Sequence, residues 1–402
     1  MRPLLPEAPV SIFPLFFTQV FMLLFLFLAL LFDVIELTLF SLIILTMSFG
    51  SYLWSRISLN NVKCSIELNR LRLFPDEKLK IGIRAINSKL LPVRFGVNLF
   101  IPGTISGTDT GQWIAEETGL LWFQQFVFFR DLRPNKRGVY DLGPPRLRGG
   151  DLFGFFFRKK VTTEQFEIVV YPRIVSIRPI LIPKKEFYGI PGARSPVEDP
   201  IYVFGTRDYQ PGRPARGIHW KASARHHRLQ EKLCEPAEQE KVLILLDVDQ
   251  FENEPAKGDF ERSLEVIASF VLQMDLRGIA IGFVTNAHIH GGRSRIIPIS
   301  RSPMQIQVIL ETLARAKTNK KPDPLTGLIS KGYNIQWGVS CLYFAYQIST
   351  QTRSAGAFMK HRKIPIRFIV TQRSGAFEMP EGSREENTCY LNNLLSKENS
   401  NK

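Results

Sequence analysis

Cysteine is scarce in this chain of 402 residues, with four widely separated residues, Cys64, Cys234, Cys341 and Cys389. No two of them have the Cys-x-x-Cys spacing of zinc sites and redox pairs, and their positions give no disulfide framework. The sequence therefore fits a reducing compartment, and we predict neither a zinc site nor structural disulfides.

Motifs of the common nucleotide and metal enzymes are also missing. The sequence has no P-loop, no His-Glu-x-x-His, and no Gly-x-Gly-x-x-Gly between a strand and a helix. It has no recognised nucleic-acid-binding module either. We therefore expect no cofactor, no small-molecule substrate and no nucleic acid as a partner.

Acidic residues are few, 37 against 52 basic ones, which gives a formal net charge of +15. Such a surplus favours an anionic neighbour. Acidic phospholipid, nucleic acid and acidic protein all have the required charge, and the missing binding module disfavours nucleic acid. The length allows two or three domains. The 45% of hydrophobic residues is ordinary for a folded protein that carries some membrane-embedded sequence.

Charge is nearly absent from the first 54 residues. Pro14–Phe32 is an uncharged run of about 19 residues, and Val34–Trp54 is a run of about 21 interrupted by Glu36. Each run can cross a hydrocarbon core of roughly 30 Å. We predict a transmembrane hairpin of two helices over residues 1–55, with a short turn at Asp33.

The cations that follow the second run predict the orientation. Arg56, Lys63, Arg70 and Arg72 come soon after it, whereas the turn between the two runs carries only acids. The positive-inside rule then places the N-terminus and the soluble domains in the cytoplasm. The prediction is a protein of the inner (cytoplasmic) membrane. A cleaved signal peptide is the alternative, but the start has few cations and no small-residue cleavage site follows.

Residues 56–180 have the pattern of an antiparallel, β-sandwich-like domain. Short apolar runs are separated by turn pairs such as Pro75-Asp76 and Pro102-Gly103. The polar stretch Thr104–Gly119 is predicted to be a long loop. The predicted strands are Val62–Leu73, Leu79–Asn87, Val93–Ile101, Phe123–Arg130 and Phe166–Tyr171.

Two later stretches are rich in Gly, Pro and charge. The first is RGVYDLGPPRLRGGDLFGFF (Arg137–Phe156), followed by VVYPR at Val169–Arg173. Its charged residues are expected to lie on a solvated strand face. The second is RDYQPGRPARGIHWKASAR (Arg207–Arg225), here called the basic segment. Asp208 is its one acid, and its cations are Arg207, Arg213, Arg216, Lys221 and Arg225.

In this order, the two stretches resemble the bacterial membrane-associated family known as domain of unknown function 58. The resemblance runs from the hairpin to about residue 370, and R-x-I-H-W-K-x-S-A-R at Arg216–Arg225 is its most specific part. It implies two transmembrane helices, a β-rich segment and a C-terminal von Willebrand factor A-like domain. Because genes of this family commonly neighbour those of MoxR-type AAA+ ATPases, it also implies such an ATPase as a partner.

Residues 241–372 alternate strands and helices as a doubly wound α/β sheet does, in agreement with a von Willebrand A-like domain. Residues 181–240 form the linker that carries the basic segment, and the polar residues 373–402 are predicted to be a mobile tail. The predicted strands are Val242–Leu246, Ala280–Val284, Arg295–Ile299, Val339–Tyr346 and Pro365–Val370. The predicted helices are Asp259–Leu276, one that begins at Ser302-Pro303, and Thr350–His361.

The metal site that von Willebrand A domains often carry is degenerate here. That site uses Asp-x-Ser-x-Ser after the first strand, a Thr and a later Asp as oxygen ligands for Mg²⁺. In this chain Asp249 and Phe251 replace the two serines after Asp247, and no Asp follows the later strand near Gln347. We expect no bound Mg²⁺. The degenerate candidate ligands are Asp247, Asp249 and Thr285.

The basic segment has three interpretations. In the first it is structural, with Trp220 packed and the guanidinium groups bonded inward, for example to Glu235, Glu238 or Glu240. In the second it is a docking surface for an acidic protein or lipid headgroups. In the third His219 is catalytic. The residues of the predicted docking surface are Arg213, Arg216, His219, Trp220, Lys221 and Arg225.

These observations favour a non-enzymatic, membrane-anchored scaffold or adaptor. It would act with a MoxR-type AAA+ ATPase in the assembly or maturation of envelope proteins. The alternative is a membrane-bound hydrolase or transferase that uses His219 with Asp247 or Asp249.

Overall fold

A computed structural model describes residues 16–103, 111–183, 198–210, 214–236, 240–252, 254–318, 323–332, 338–372 and 388–395. The chain divides into two compact units, Met1–Arg173 and Ile174–Lys402. An apolar helix near the N-terminus is followed by several β-sheets and helices, so the predicted multidomain organisation with a sheet-rich part is confirmed.

Two apolar helices begin the first unit, α1 (Phe16–Leu31) and α2 (Ile35–Ser58). The 24 residues of α2 extend about 36 Å, enough to cross a membrane, whereas the 16 residues of α1 extend about 24 Å. Within the described residues α2 is therefore the one helix long and apolar enough to span a bilayer. A second span and the cytoplasmic orientation remain predictions.

The rest of the first unit consists of β-strands. They are β1 (Val62–Leu68), β2 (Arg72–Leu73), β3 (Leu79–Asn87), β4 (Val93–Ile101), β5 (Gln112–Leu120), β6 (Gln125–Leu132), β7 (Gly138–Leu142), β8 (Arg146–Gly150), β9 (Phe157–Val161) and β10 (Phe166–Val170). One sheet has the order β1-β3-β6, and another β5-β4-β8-β9, with antiparallel pairing throughout. A third has the order β2-β10-β7. Alternate residues of these strands point into a single apolar core that all three sheets share.

The loop predicted over Thr104–Gly119 is partly wrong, because β5 pairs with β4 along the whole length of β4. Its two buried residues, Ile114 and Leu120, share the inward face with the half-buried polar residues Glu116 and Thr118. Polar residues on the inward face interrupt the apolar alternation, and this hid the strand in the sequence. Residues 104–110 lie outside the described part of the chain.

The solvated strand face predicted for the first Gly-rich stretch is also partly wrong. The Asp151 side chain is fully buried, and its carboxylate accepts hydrogen bonds from the backbone N–H groups of Phe155, at 3.2 Å, and Phe156, at 2.8 Å. The Arg148 guanidinium lies 4.0 Å from the centre of the Phe157 ring. The Asp151 carboxylate and the Arg148 guanidinium thus face the protein rather than the solvent, and they hold the loop between β8 and β9 in place.

The second unit is built around a six-stranded sheet with the order β16-β14-β13-β18-β19-β20. Only β16, at one edge of it, runs antiparallel to its neighbour. The elements of the unit are β11 (Glu198–Asp208), α3 (Trp220–His226), β12 (Gln230–Pro236), β13 (Lys241–Leu246), α4 (Glu254–Leu276), β14 (Ala280–Thr285), β15 (His288–Ile289), β16 (Ile296–Ser300), α5 (Gln305–Arg315), β17 (Ala316–Lys317), α6 (Leu325–Gly332), β18 (Val339–Ala345), α7 (Thr350–His361), β19 (Ile366–Val370), β20 (Thr388–Tyr390) and α8 (Leu391–Leu394).

Both faces of the central strand β13 are covered. Leu243 and Leu245 pack with α6 and α7, and the alternate residues from Val242 to Leu246 are equally buried on the opposite face. Strands buried on both faces are continuously apolar, which is why the sequence predicted β13, β14 and β18 well.

Three predicted boundaries in this unit are wrong. Helix α4 begins at Glu254 rather than Asp259, and α5 begins at Gln305 because the residues after Ser302 form a turn. Part of the predicted mobile tail is ordered, since β20 pairs with β19 and both Leu391 and Leu394 are buried. Residues 373–387 and 396–402 lie outside the described part.

Candidate functional site

The basic segment lies on a two-stranded arm. Strands β11 and β12 pair antiparallel, with Asp208 opposite Gln230 and Arg207 opposite Glu231. The connection between them contains a short 3₁₀ turn and then helix α3, which folds back onto β12. Ile218, buried beneath the connection, forms an isolated bridge with Glu231.

His219 is the N-cap of α3. Its Nδ1 accepts a hydrogen bond from the backbone N–H of Ala222 at 3.1 Å, and its own backbone N–H donates to the carbonyl of Gln230 at 2.7 Å. The Ser223 hydroxyl donates to the His219 carbonyl and accepts from the Gln230 N–H at 2.8 Å. The imidazole therefore caps the N-terminus of α3, which is a role in the local fold.

The side chains of the basic segment divide into a paired group and an exposed group. Arg207 forms an ion pair with the buried Glu231 at 3.3 Å, and the adjacent Arg228 pairs with Asp208 at 3.2 Å. These two pairs cross-link the arm, and the second of them is highly exposed and screened by solvent.

The exposed group surrounds Trp220, whose side chain is 69% exposed. Arg216, Lys221 and Arg225 are exposed as well, and no carboxylate in the described part of the chain lies within ion-pair distance of them. This arrangement contradicts the packed Trp220 that the structural interpretation requires. Arg213, together with the side chains of Glu235 and Glu238, lies outside the described residues.

The predicted metal-ligand positions lie at the carboxyl end of β13, and the Asp247 side chain is 1% exposed there. Its Oδ1 accepts hydrogen bonds from Asn286 Nδ2 at 2.8 Å and from the backbone N–H of Asp249 at 3.1 Å. Its Oδ2 accepts one from the Tyr343 hydroxyl at 2.5 Å. Both carboxylate oxygens are therefore engaged by protein donors.

Thr285 and Asp249 differ from Asp247 in their surroundings. The buried Thr285 hydroxyl donates to the Leu246 carbonyl at 2.9 Å and accepts from the Ala287 N–H at 3.1 Å. Asp249 is half-buried, and burial together with the Asp247 carboxylate raises its pKa above the ordinary value. Within the described ranges no group of three His, Cys, Asp or Glu side chains is placed to hold a metal ion. The residues present do not fit a Mg²⁺ site.

The sequence missed the two residues that surround Asp247. Asn286 follows β14 directly, and its Oδ1 accepts from the Val248 N–H at 2.9 Å, so it joins the ends of two adjacent strands. Tyr343 is the one tyrosine of the largely apolar strand β18. The carboxyl ends of parallel strands meet at one edge of a sheet. A polar residue after one strand and a tyrosine within another were therefore the sequence signals that could have placed both residues near Asp247.

No protein-family model matches the chain. The chain is 22% identical over 272 residues to the uncharacterized protein YeaD of Bacillus subtilis, a match that covers 67% of this chain and 65% of YeaD. The chain therefore spans less than two thirds of that relative.

Among solved structures, the chain resembles the CARDB domain of the PF1109 protein from Pyrococcus furiosus, at 13% identity and a TM-score of 0.19. That match covers 27% of this chain and 91% of the domain. A PapD-like domain of human CEP192 matches at 11% identity and a TM-score of 0.18, over 27% of this chain and 83% of that one. Such low scores carry no argument about fold or function.

Proposed function

We propose that this chain is a non-enzymatic, membrane-anchored scaffold that docks an acidic partner protein on its basic segment. One observation carries the proposal: Trp220 is exposed among Arg216, Lys221 and Arg225, which have no carboxylate partner in the described residues. Clustered cations repel one another, so an acidic surface that covered them together with the exposed ring would be favoured.

The composition of this surface suits a protein partner. Trp and Arg are the residue types most enriched at the energetic centres of protein interfaces. The surface sits on an arm whose own backbone is fixed by β11–β12 pairing and by the His219 cap, so docking needs little reordering. Acidic side chains on the partner would pair with the cations and speed association.

The finer proposal is a protein similar to the family of domain of unknown function 58, with a MoxR-type AAA+ ATPase as the partner. The residue pattern Arg216–Arg225 supports it. So does the second unit, in which β13, α4, the β14–β16 hairpin, the helices α5 and α6, β18, α7 and β19 follow in nearly the order that a von Willebrand A-like domain implies. A role in envelope protein assembly or maturation is part of the same proposal.

The proposed anchor is a hairpin of α1 and α2 in the inner membrane, with the soluble units in the cytoplasm. Helix α2 is long enough to span, and α1 packs against it. The cations after α2, beginning with Arg56, support the cytoplasmic side for the soluble units.

The test is co-purification of the full chain with the MoxR-type ATPase. The double variant Arg216→Glu/Lys221→Glu reverses two exposed charges, and we expect it to lose the ATPase while its thermal unfolding is unchanged. The matched control is Arg277→Glu/Lys360→Glu, which makes the same charge change at two exposed positions, one directly after α4 and one on α7. Retention of the ATPase by the first variant, or equal loss in both, would refute docking at the basic segment.

The alternative hydrolase or transferase gains no support from the geometry. His219 Nδ1 accepts the capping hydrogen bond, and Asp247 is covered by Tyr343 and Asn286. Within the described residues no hydrogen bond joins His219 to Asp247 or Asp249.

A further inference from the structure

The strand register of the first unit brings several connections to one end of the β-domain. Val93 of β4 lies opposite Leu120 of β5, and Arg94 lies opposite Gly150 of β8. In the β1-β3-β6 sheet, Val62 lies opposite Asn87. The end of α2, the β3–β4 turn (88–92), the β5–β6 turn (121–124) and the β8–β9 loop (151–156) therefore all lie at the same end.

Helix α2 contacts two of these connections directly. Its Trp54 Nε1 donates a hydrogen bond to the Pro92 carbonyl at 2.8 Å, and its Tyr52 ring packs edge-on against Phe156 at 5.7 Å between centroids. Counted from Ile35, about 20 residues of α2 fill the hydrocarbon core, which places residues 52–54 at the membrane interface. The two connections lie at the same depth.

Exposed apolar side chains are concentrated on these connections. In the β-domain they include Leu90 at 76% exposure, Trp122 at 59% and Phe153 at 58%. Tryptophan at this depth is typical of the aromatic belts of membrane proteins. The full set, here called the apolar rim, is Leu90, Leu121, Trp122, Phe123, Leu152 and Phe153.

The connections that carry the apolar rim are held by buried polar groups. The Asn87 side-chain amide donates to the carbonyls of both Leu91 and Leu121 at 2.9 Å, and so ties two turns together. Phe123 has φ of +53°, a left-handed conformation that is unfavourable for an aromatic residue. The buried Asp151 carboxylate fixes the third connection. The rings are thus held outward rather than folded onto the core.

Cations flank the apolar rim. Arg158 and Lys159 follow the β8–β9 loop and are exposed on the half of β9 nearer to it. Arg56 is exposed at the end of α2, 5.4 Å from the centre of the Tyr52 ring. The nearby Glu117 carboxylate is already paired with Arg94 and Arg148. The local charge is therefore complementary to an anionic lipid surface.

We propose that the apolar rim inserts into the interfacial layer of the bilayer that α2 spans, with the cations of β9 against anionic headgroups. The β-domain would then rest on the membrane surface instead of extending away from it on a tether. This inference depends on the α2 anchor of the proposed function and not on the docking partner. A bilayer is the occupant because α2, whose surface is continuous with the rim, is itself the candidate span.

The test compares two equally exposed positions of the same unit in the full chain. Phe153 and Val161 are each 58% exposed, but Val161 lies at the opposite end of β9, about 13 Å further along the strand. Phe153→Cys and Val161→Cys are labelled with a polarity-sensitive dye and reconstituted into nanodiscs of phosphatidylcholine and phosphatidylglycerol. The unsubstituted chain, labelled in parallel, gives the background from the native cysteines.

We expect nitroxide-bearing lipids to quench the dye at position 153 severalfold more strongly than at position 161. Leu90→Cys is a second reporter on the rim and is expected to behave like Phe153→Cys. A water-like dye at both rim positions in nanodisc-bound protein would overturn the inference and leave the anchor intact. Failure of the unsubstituted chain to remain in nanodiscs would instead refute the α2 anchor. If the dye at position 153 is quenched equally in nanodiscs of phosphatidylcholine alone, the cations of β9 do not contribute to the membrane contact.

Discussion

The Tyr343 hydroxyl donates a hydrogen bond of 2.5 Å to the Asp247 carboxylate, and both side chains are 1% exposed. Burial and the adjacent carboxylate raise the pKa of Tyr343 far above its ordinary value, so the phenol stays a donor. The pair joins the carboxyl ends of the neighbouring strands β13 and β18. It engages the first of the three candidate metal ligands that the sequence offered.

Tyr343→Phe is expected to destabilise the protein by about 1–3 kcal/mol, because the buried Asp247 loses a hydrogen-bond donor. The measurement is thermal unfolding of the full chain in detergent. Tyr346→Phe is the control, because it removes a buried tyrosine hydroxyl that makes no hydrogen bond to the described residues. Equal midpoints for Tyr343→Phe and the unsubstituted chain would contradict the prediction.

Asp249→Asn is expected to raise the unfolding midpoint at pH 7. Burial and Asp247 raise the folded-state pKa of Asp249 above its ordinary 3.8, so the unfolded chain releases this proton at lower pH than the folded chain. Stability therefore falls as pH rises from 3.8 through the folded pKa, and the Asn variant avoids this loss.

The gain in Asp249→Asn is expected to disappear below about pH 3.8, where both states hold the proton. Glu252→Gln, which neutralises a carboxylate of the same loop, is the control. A gain that is independent of pH would show that repacking rather than ionisation is responsible.

We expect that neither Mg²⁺ nor Mn²⁺ binds to this protein. Both oxygens of Asp247 accept hydrogen bonds, and the Thr285 hydroxyl is bonded to the backbone, whereas Mg²⁺ needs near-octahedral oxygen ligands. Calorimetric titration of the full chain with each ion checks this. A saturable heat that is lost in Asp247→Asn would establish a metal site here.

The parts of the fold that could be predicted from sequence were those with strong periodicity. Leu79–Asn87 and Thr350–His361 were predicted with the bounds that the structure has, because an alternating run and an amphipathic, capped helix each leave one clear pattern. Strand β5 was missed because polar residues interrupt the apolar alternation of its inward face. Strand β20 was missed because three residues at a sheet edge carry no period at all.

For the candidate site, the sequence predicted the residue types but not their arrangement in space. The sequence shows cations around Trp220, but it does not show which way their side chains point. That direction depends on the pairing of β11 with β12 and on the His219 cap, and neither contact leaves a periodic pattern in the sequence. The covering of Asp247 by Tyr343, 96 residues later, is a tertiary contact of the same kind.

Leu391→Ala tests whether the C-terminal segment belongs to the second unit. Leu391 is fully buried beside β20, so truncation is expected to cost about 2–5 kcal/mol. Asn392→Ala changes the next, exposed residue and is expected to leave the unfolding midpoint unchanged. Equal midpoints for the two variants would restore the prediction of a mobile tail for these residues.

The variant Trp220→Ala distinguishes a docking role of Trp220 from a structural role. Because Trp220 is 69% exposed, its loss is expected to change the free energy of unfolding by no more than about 0.5 kcal/mol. If it is an anchor of the partner interface, affinity for the ATPase should fall about 10- to 100-fold. Both quantities are measured on the full chain in detergent, by thermal unfolding and by titration against the purified ATPase.

Trp113→Ala is the opposite control. Trp113 is half-buried in the first unit, 5.2 Å from Phe100 and 5.0 Å from the Arg146 guanidinium, so its loss should lower stability and leave partner affinity unchanged. A Trp220 variant that unfolds as early as the Trp113 variant would show that the ring supports the arm. In that case the exposed cations alone would have to account for docking, and only the charge-reversal variant could reveal it.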